Sequence, residues 1–183
     1  MTIESGWERL GDSRLPVTAY ITWALADAGY AASEPVQRAA KYLRERADTN
    51  LDPYALAIVA NALLAVDPNE SGGRALLRGL LERAETADDG ALFWRSELPT
   101  YMGGWGDVAS VETTAMVALA ALRSGQDPAA AQKALDFLVG RRDSTGSFGT
   151  TQATILSLKA LLLGAKTGGE GGEATVDIAL ADG

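Results

Sequence analysis

The chain has 183 residues, 47% apolar and 22% charged, a size and composition that bury a hydrophobic core without disulfide or metal staples and point to one compact domain. Asp and Glu number 24 against 16 Lys and Arg, a formal charge of −8, which disfavours nucleic acid and anionic membranes as partners. There is no Cys and no His, so disulfides, thiolate nucleophiles, imidazole-dependent triads and nearly every zinc site are excluded, and any chemistry falls to carboxylates, Lys, Tyr or Ser.

Met1 to Gly6 shows no basic stretch leading into an apolar one, so no secretion signal is visible there. From residue 15 onward Ala, Leu, Arg and Glu dominate, β-branched runs are scarce and turn residues recur. The pattern predicts an all-α chain of seven helices, at about 15–29, 34–47, 53–66, 71–84, 110–124, 128–141 and 150–164. Ser33-Glu34-Pro35, Asp52-Pro53 and Asp127-Pro128 each set a capping side chain beside a proline of the first turn, and Gly29, Gly125 and Gly164 are the expected stops.

Two kinds of helix alternate. The second carries Val36, Ala39, Ala40, Leu43 and Ala47 on one stripe with Arg38, Lys41, Arg44 and Glu45 opposite; the fourth (Leu76, Leu77, Leu80, Leu81, Ala84) and sixth (Ala131, Leu135, Leu138) are similarly one-sided. The stretches Tyr54–Val66, Thr113–Leu122 and, apart from Lys159, Ala153–Leu163 are apolar almost all round. That alternation is what an inner and an outer layer of αα-hairpins requires, since inner helices meet neighbours on every side. The starts of the inner helices, near Val17, Tyr54, Thr113 and Gln152, recur at intervals of about 37, 59 and 38 residues. The long middle interval holds an insertion of roughly twenty residues, 85–109, carrying Phe93, Trp94, Tyr101 and Trp105, where a functional loop is expected.

The tail changes character. Residues 168–173 read as a Gly-rich linker, and 174–183, with alternating Val176, Ile178 and Leu180, as the first strand of a following, truncated β-domain; the helical domain then covers 1–167.

Three motifs stand in a fixed order: Val111-Glu112-Thr113-Thr114-Ala115-Met116-Val117-Ala118-Leu119-Ala120-Ala121-Leu122, then Ala134-Leu135-Asp136-Phe137-Leu138, then Gly146-Ser147-Phe148-Gly149-Thr150-Thr151-Gln152-Ala153-Thr154. With Leu15-Pro16-Val17-Thr18-Ala19-Tyr20 and Tyr54, Ala57 and Ile58 before them, the chain resembles the C-terminal part of the thioester domain of the alpha-two-macroglobulin and complement family. That resemblance implies an α/α toroid of which the seven helices form an incomplete arc, and a return to a β-domain at the tail. In the family a Cys and a Gln within Cys-x-Glu-Gln form the reactive thioester, upstream of everything matched here, and in some members a His assists acyl transfer. Lacking Cys and His, this chain carries no residue that inherits either role.

The residues that invite chemical readings have plainer ones. Gln152 opens an inner helix, where its amide can bond neighbouring turns, and Glu112 opens another, where its charge suits the positive end of the helix dipole. Tyr101-Met102-Gly103-Gly104-Trp105-Gly106 lacks the Lys-Ser/Thr of a phosphate loop and reads as a tight aromatic turn. Asp88, Asp89 and Asp107 are acidic groups of the insertion that could invite acid/base work, without a second acidic cluster at a defined spacing. Trp7, Trp23, Trp94 and Trp105 read as wedges between helices rather than as a sugar or terpenoid platform.

No residue is therefore assigned as catalytic, cofactor-binding or metal-ligating, and no cofactor is expected. The reading is a non-enzymatic scaffold fragment of a bacterial alpha-two-macroglobulin-like endopeptidase inhibitor, extracellular or periplasmic. Its partners would be the rest of the parent chain and, through it, target proteases, with self-association of the fragment through its end helices, where Ile21, Trp23, Leu25, Ile155, Leu158 and Leu162 are expected to lie exposed. The alternative is an α/α-toroid enzyme of the terpenoid cyclase or glycosidase type, whose repeats also place Gly-Ser-Phe turns between helices. The Asp-rich protonation motif of the cyclases is missing, and Arg142 stands where their usual Gln precedes the turn.

Overall fold

A computed structural model describes residues 14–48, 50–100 and 103–168. Seven α-helices appear among them: α1 (Arg14–Leu25), α2 (Glu34–Arg46), α3 (Pro53–Val66), α4 (Ser71–Leu81), α5 (Asp107–Ser124), α6 (Pro128–Gly140) and α7 (Thr151–Gly168). The linker and strand expected beyond residue 168, and Trp7, lie outside the described residues.

Local chemistry sets most of the boundaries. The Asp52 carboxylate accepts the Tyr54 amide at the start of α3 and Asp127 accepts the Ala130 amide at the start of α6, each beside a proline in the first turn. Ser33 precedes α2 without making a side-chain cap bond, while Glu70, which the sequence did not single out, caps α4 by accepting the Gly73 amide. The last turn of α1 widens over Ala26–Tyr30, and Gly29, at φ +92°, lets the chain turn out of it. Between α4 and α5 lies an antiparallel hairpin, β1 (Glu85–Thr86) and β2 (Leu92–Phe93), with Glu85 opposite Phe93 and Thr86 opposite Leu92. Two residues per strand are too few to show alternation in the sequence, which is why the insertion reads as an aromatic loop.

Three boundaries are corrected. The helix expected at 110 begins at Asp107, the one expected to run to 84 stops at Leu81, and the one expected to stop at Gly164 runs on to Gly168. Gly164 is a packing residue: a Cβ there would sit 2.4 Å from Leu135 Cδ1, so its missing side chain lets α7 approach α6.

The two layers are present. Helices α1, α3, α5 and α7 pack side by side in that order, and α2, α4 and α6 cover them from outside, each against the inner helices that precede and follow it. The outer helices aim their stripes inward, so that Val36, Ala40, Leu43, Leu76, Leu77 and Leu80 are all buried. Helix α3 is buried without interruption from Pro53 to Leu64 and α5 from Ala109 to Ala121. Within that apolar contact the Asn61 amide donates to Ala57 O at 2.9 Å and to Met116 O at 2.8 Å, a polar pin between α3 and α5.

The ends of the row bend toward each other. Asp27, past the end of α1, receives Arg123 of α5 at 2.8 Å and Lys159 of α7 at 3.2 Å, and the Gln152 amide reaches Tyr20 Oη at 3.5 Å. Ile21 and Leu25 of α1 and Ile155, Leu158 and Leu162 of α7 are exposed as expected of an arc. Trp23 is not: it is buried, with the Lys159 ammonium 5.3 Å from its ring centroid.

The layer assignment carries a stability prediction. Leu77→Ala should cost about 2–5 kcal/mol in urea unfolding. Arg38→Ala, which removes only an exposed pair with Glu34 at 3.0 Å, should cost under about 1 kcal/mol.

Candidate functional site

The insertion between α4 and α5 is built outward from one ring. Trp94 has no exposed surface; its indole N–H donates to Leu80 O at 2.6 Å and its backbone N–H to Thr114 Oγ1 at 3.1 Å, tying the hairpin to α4 and α5 at once. Phe93 stacks on Phe137 of α6 at 5.1 Å between centroids, and the guanidiniums of Arg95 and Arg141 lie over the two rings at 5.5 Å and 4.8 Å. Arg95 also forms a fork on Glu85 across the hairpin.

The segment leaving the hairpin is held at its other end by a residue chosen long before it in sequence. Asp52 Oδ1, besides capping α3, accepts the Ser96 hydroxyl at 2.9 Å, and its Oδ2 accepts the Glu97 amide at 3.1 Å. Between this anchor and Arg83, Glu85 and Arg95 lies a polar cleft of about 470 Å³. A second cleft, about 330 Å³, opens between α1 and α7 and is lined by Tyr20, Trp23, Asp27, Gln152, Ile155 and Lys159.

Glu112 lies where three segments meet and is fully buried. Because α5 begins five residues earlier, at Asp107, it is Asp107 and not Glu112 that stands in the first turn at the positive end of the dipole. The Glu112 carboxyl instead accepts the hydroxyl of Thr150 at 3.0 Å and that of Thr100, while its Oε2 has no hydrogen-bond partner among the described residues. Burial pushes its pKa up from the ordinary glutamate value, opposed by the two threonine bonds. Thr150 is in turn the cap of α7, accepting the Ala153 amide at 3.1 Å. Thr100 closes a tight turn with Gly104: each backbone N–H or hydroxyl of the pair serves the other, with Gly104 N–H on Thr100 Oγ1 at 3.0 Å and Thr100 N–H on Gly104 O at 2.9 Å. A Cβ on Gly104 would meet Thr100 Oγ1 at 2.9 Å and Val108 at 3.0 Å, so the close approach requires glycine.

The other flagged residues are brought to separate places. Asp89 accepts the Ala91 amide in its own turn, and Asp107 starts α5. Among the described residues no group of three or more acidic side chains converges where it could hold a metal ion. Of the tryptophans, Trp23 and Trp94 are buried wedges and Trp105 is 55% exposed.

The arrangement is thus a two-layer αα array in which α3 and α5 are buried on every side. The family model described as the A-macroglobulin TED domain matches residues 7–163. The chain belongs to that family. Among its relatives, ovostatin of Gallus gallus is 31% identical over 161 residues, 82% of this chain and 11% of ovostatin. Complement C3 of Lethenteron camtschaticum is 29% identical over 128 residues, 70% of this chain and 8% of that protein. Alpha-2-macroglobulin-like protein 1 of Mus musculus is 29% identical over 180 residues, 93% and 12% of the respective chains. The chain thus spans about a tenth of the length of these relatives. The match runs from before α1 into α7, and so includes the hairpin, Trp94 and the Glu112 junction.

The geometry around Trp94 generates a test. Trp94→Ala should cost about 3–5 kcal/mol, because the indole is enclosed on every side and the hairpin, α4 and α5 are joined through it. Thermal and urea unfolding followed by far-ultraviolet circular dichroism measures it.

Proposed function

We propose that this chain is the scaffold portion of a thioester-type domain, acting within a longer protease-trapping protein and catalysing nothing by itself. The observation that carries the reading is the pairing of the family match over residues 7–163 with a sequence holding neither Cys nor His. A chain of this kind can present and shield a reactive group; it has no thiolate to form one. The parent is an endopeptidase inhibitor working outside the cytosol, in an extracellular or periplasmic compartment, and its target proteases reach this portion only through the whole molecule.

The exposed residues of the two end helices support the same reading. Ile21 and Leu25 on α1, and Ile155, Leu158 and Leu162 on α7, are apolar side chains on inner helices whose counterparts in α3 and α5 are covered. In the parent chain, further helical repeats of the same domain would lie against them; in the isolated chain a second copy takes that place.

Chemical inertness is the expected outcome of the direct experiment. Intact-mass measurement after methylamine treatment should show no adduct, and the isolated chain should leave protease activity unchanged. A mass increase consistent with amide formation would overturn the proposal. Sedimentation across a hundredfold range of concentration should show reversible association, weakened by Ile155→Ser and Leu162→Ser, whereas a strictly monomeric, compact species would show that the arc satisfies its own end faces.

A further inference from the structure

The cleft between α1 and α7 combines an unmatched donor, a surplus of positive charge and apolar walls. We propose that it binds a small apolar carboxylate, the acid group held by Lys159 and the Trp23 indole N–H and the apolar body lying along Ala24, Ile155 and Leu156. Binding there does not depend on what the parent protein does, and Leu158 and Leu162, exposed on the flank of α7, lie outside the cleft.

The donor is Trp23. It lines the cleft yet is only 4% exposed, and its indole N–H, closed off from solvent, has no hydrogen-bond partner among the described residues. The other buried tryptophan, Trp94, spends its N–H on Leu80 O at 2.6 Å. Buried donors in folded chains are nearly always matched, so an acceptor entering beside the Trp23 ring gains a bond without displacing one to water.

The charge follows from the two facing helices. In a chain of formal charge −8, α1 and α7 carry three cations, Arg14, Lys159 and Lys166, and no acid. The acid that lines the cleft, Asp27 in the widened turn after α1, is shared: Oδ1 accepts from Arg123 of α5 at 2.8 Å and Oδ2 from Lys159 at 3.2 Å. Two cations against one carboxylate leave this rim positive. Lys159 is half-exposed, and an ammonium that donates once to Asp27 keeps two further donors.

The walls set the rest of the ligand. The cleft holds about 330 Å³, at the small end of ligand pockets, with the Trp23 ring, Ala24, Ile155 and Leu156 as its apolar lining. The Lys159 ammonium stands 5.3 Å from the Trp23 ring centroid, so cation and apolar floor adjoin. Beside them the Gln152 amide donates to Tyr20 Oη at 3.5 Å, a bond at the limit of useful length that a carboxylate oxygen displaces. Other classes fit less well. A cation meets the surplus charge, a neutral apolar molecule leaves the Trp23 N–H unmatched, and an inorganic anion leaves the walls uncovered.

The test titrates the full chain, at a concentration where sedimentation shows a single species, with sodium hexanoate and with its neutral counterpart 1-hexanol, following the Ile155 methyl and Trp23 indole N–H resonances. Hexanoate should shift both saturably in the millimolar range, and hexanol should bind about tenfold more weakly or worse. Lys159→Gln should weaken hexanoate about tenfold, and Trp23→Phe, which keeps a ring and removes the donor, about threefold; Leu162→Ser, outside the cleft, should leave binding unchanged. No saturable shift up to about 50 mM hexanoate, equal affinity for hexanol, or unchanged binding in Lys159→Gln overturns the site. Should Trp23→Phe fail to fold, Lys159→Gln decides, because its side chain is half-exposed. N-acetyl-leucine in a parallel titration separates the two natural sources: tighter binding than hexanoate marks the carboxyl terminus of a peptide, weaker binding a fatty acid.

Discussion

Helices α3 and α5 have almost no solvent face, and the rest of the structure follows from that constraint. A helix buried on all sides satisfies its own backbone but must be covered by other chain everywhere else, and the donors on its polar side chains depend on acceptors inside. The one-sided helices α2, α4 and α6 supply the outer cover, and α1 and α7 the flanks. Asn61 shows how the donors are kept: its amide N–H groups are spent on a carbonyl of its own helix and on one of α5, while its buried Oδ1 has no partner among the described residues. The hydroxyls of Thr113 and Thr114 are similarly consumed, one by Ala109 O and the other by the Trp94 amide.

The insertion between α4 and α5 is cover of the same kind, made from an aromatic hairpin. Its second strand packs against α5 and α6. Its position is set by groups distant in sequence: Asp52 at the start of α3, Leu80 near the end of α4 and Phe137 on α6. This is why a segment without a long helix or strand is ordered enough to bury a tryptophan completely.

Charge is handled differently at the rim and in the core. At the rim, Asp27 gathers Arg123 and Lys159 and draws α1, α5 and α7 together in partly exposed pairs, where desolvation is modest. In the core, Glu112 has no cation among the described residues, and burial raises its pKa against the opposing pull of two threonine hydroxyls.

Much was legible in the sequence. Helical periodicity and its absence separate outer from inner helices, the Asp-Pro pairs place the starts of α3 and α6, and the spaced Val-Glu-x-Thr-Ala and Gly-Ser-Phe motifs identify the family, because these signals are local and repeat along the chain. The lack of Cys and His bounds the chemistry by composition alone. Other features were decided only by the tertiary structure. Gly164 looks like a helix stop until Leu135 is found where its Cβ would be, and Trp23 looks exposed on an end helix until Lys159 folds over it. Ser33 has the residue type of a cap but makes no cap bond, and Glu70 makes one. Glu112 looks like a dipole-stabilised charge at a helix start, and becomes a buried acid once α5 begins earlier and Thr100 and Thr150 close over it. In each case the deciding contact joins residues on different elements, and the proton affinity of a side chain or the role of a glycine depends on what lies within a few ångströms in space, which a single sequence read along its length does not contain.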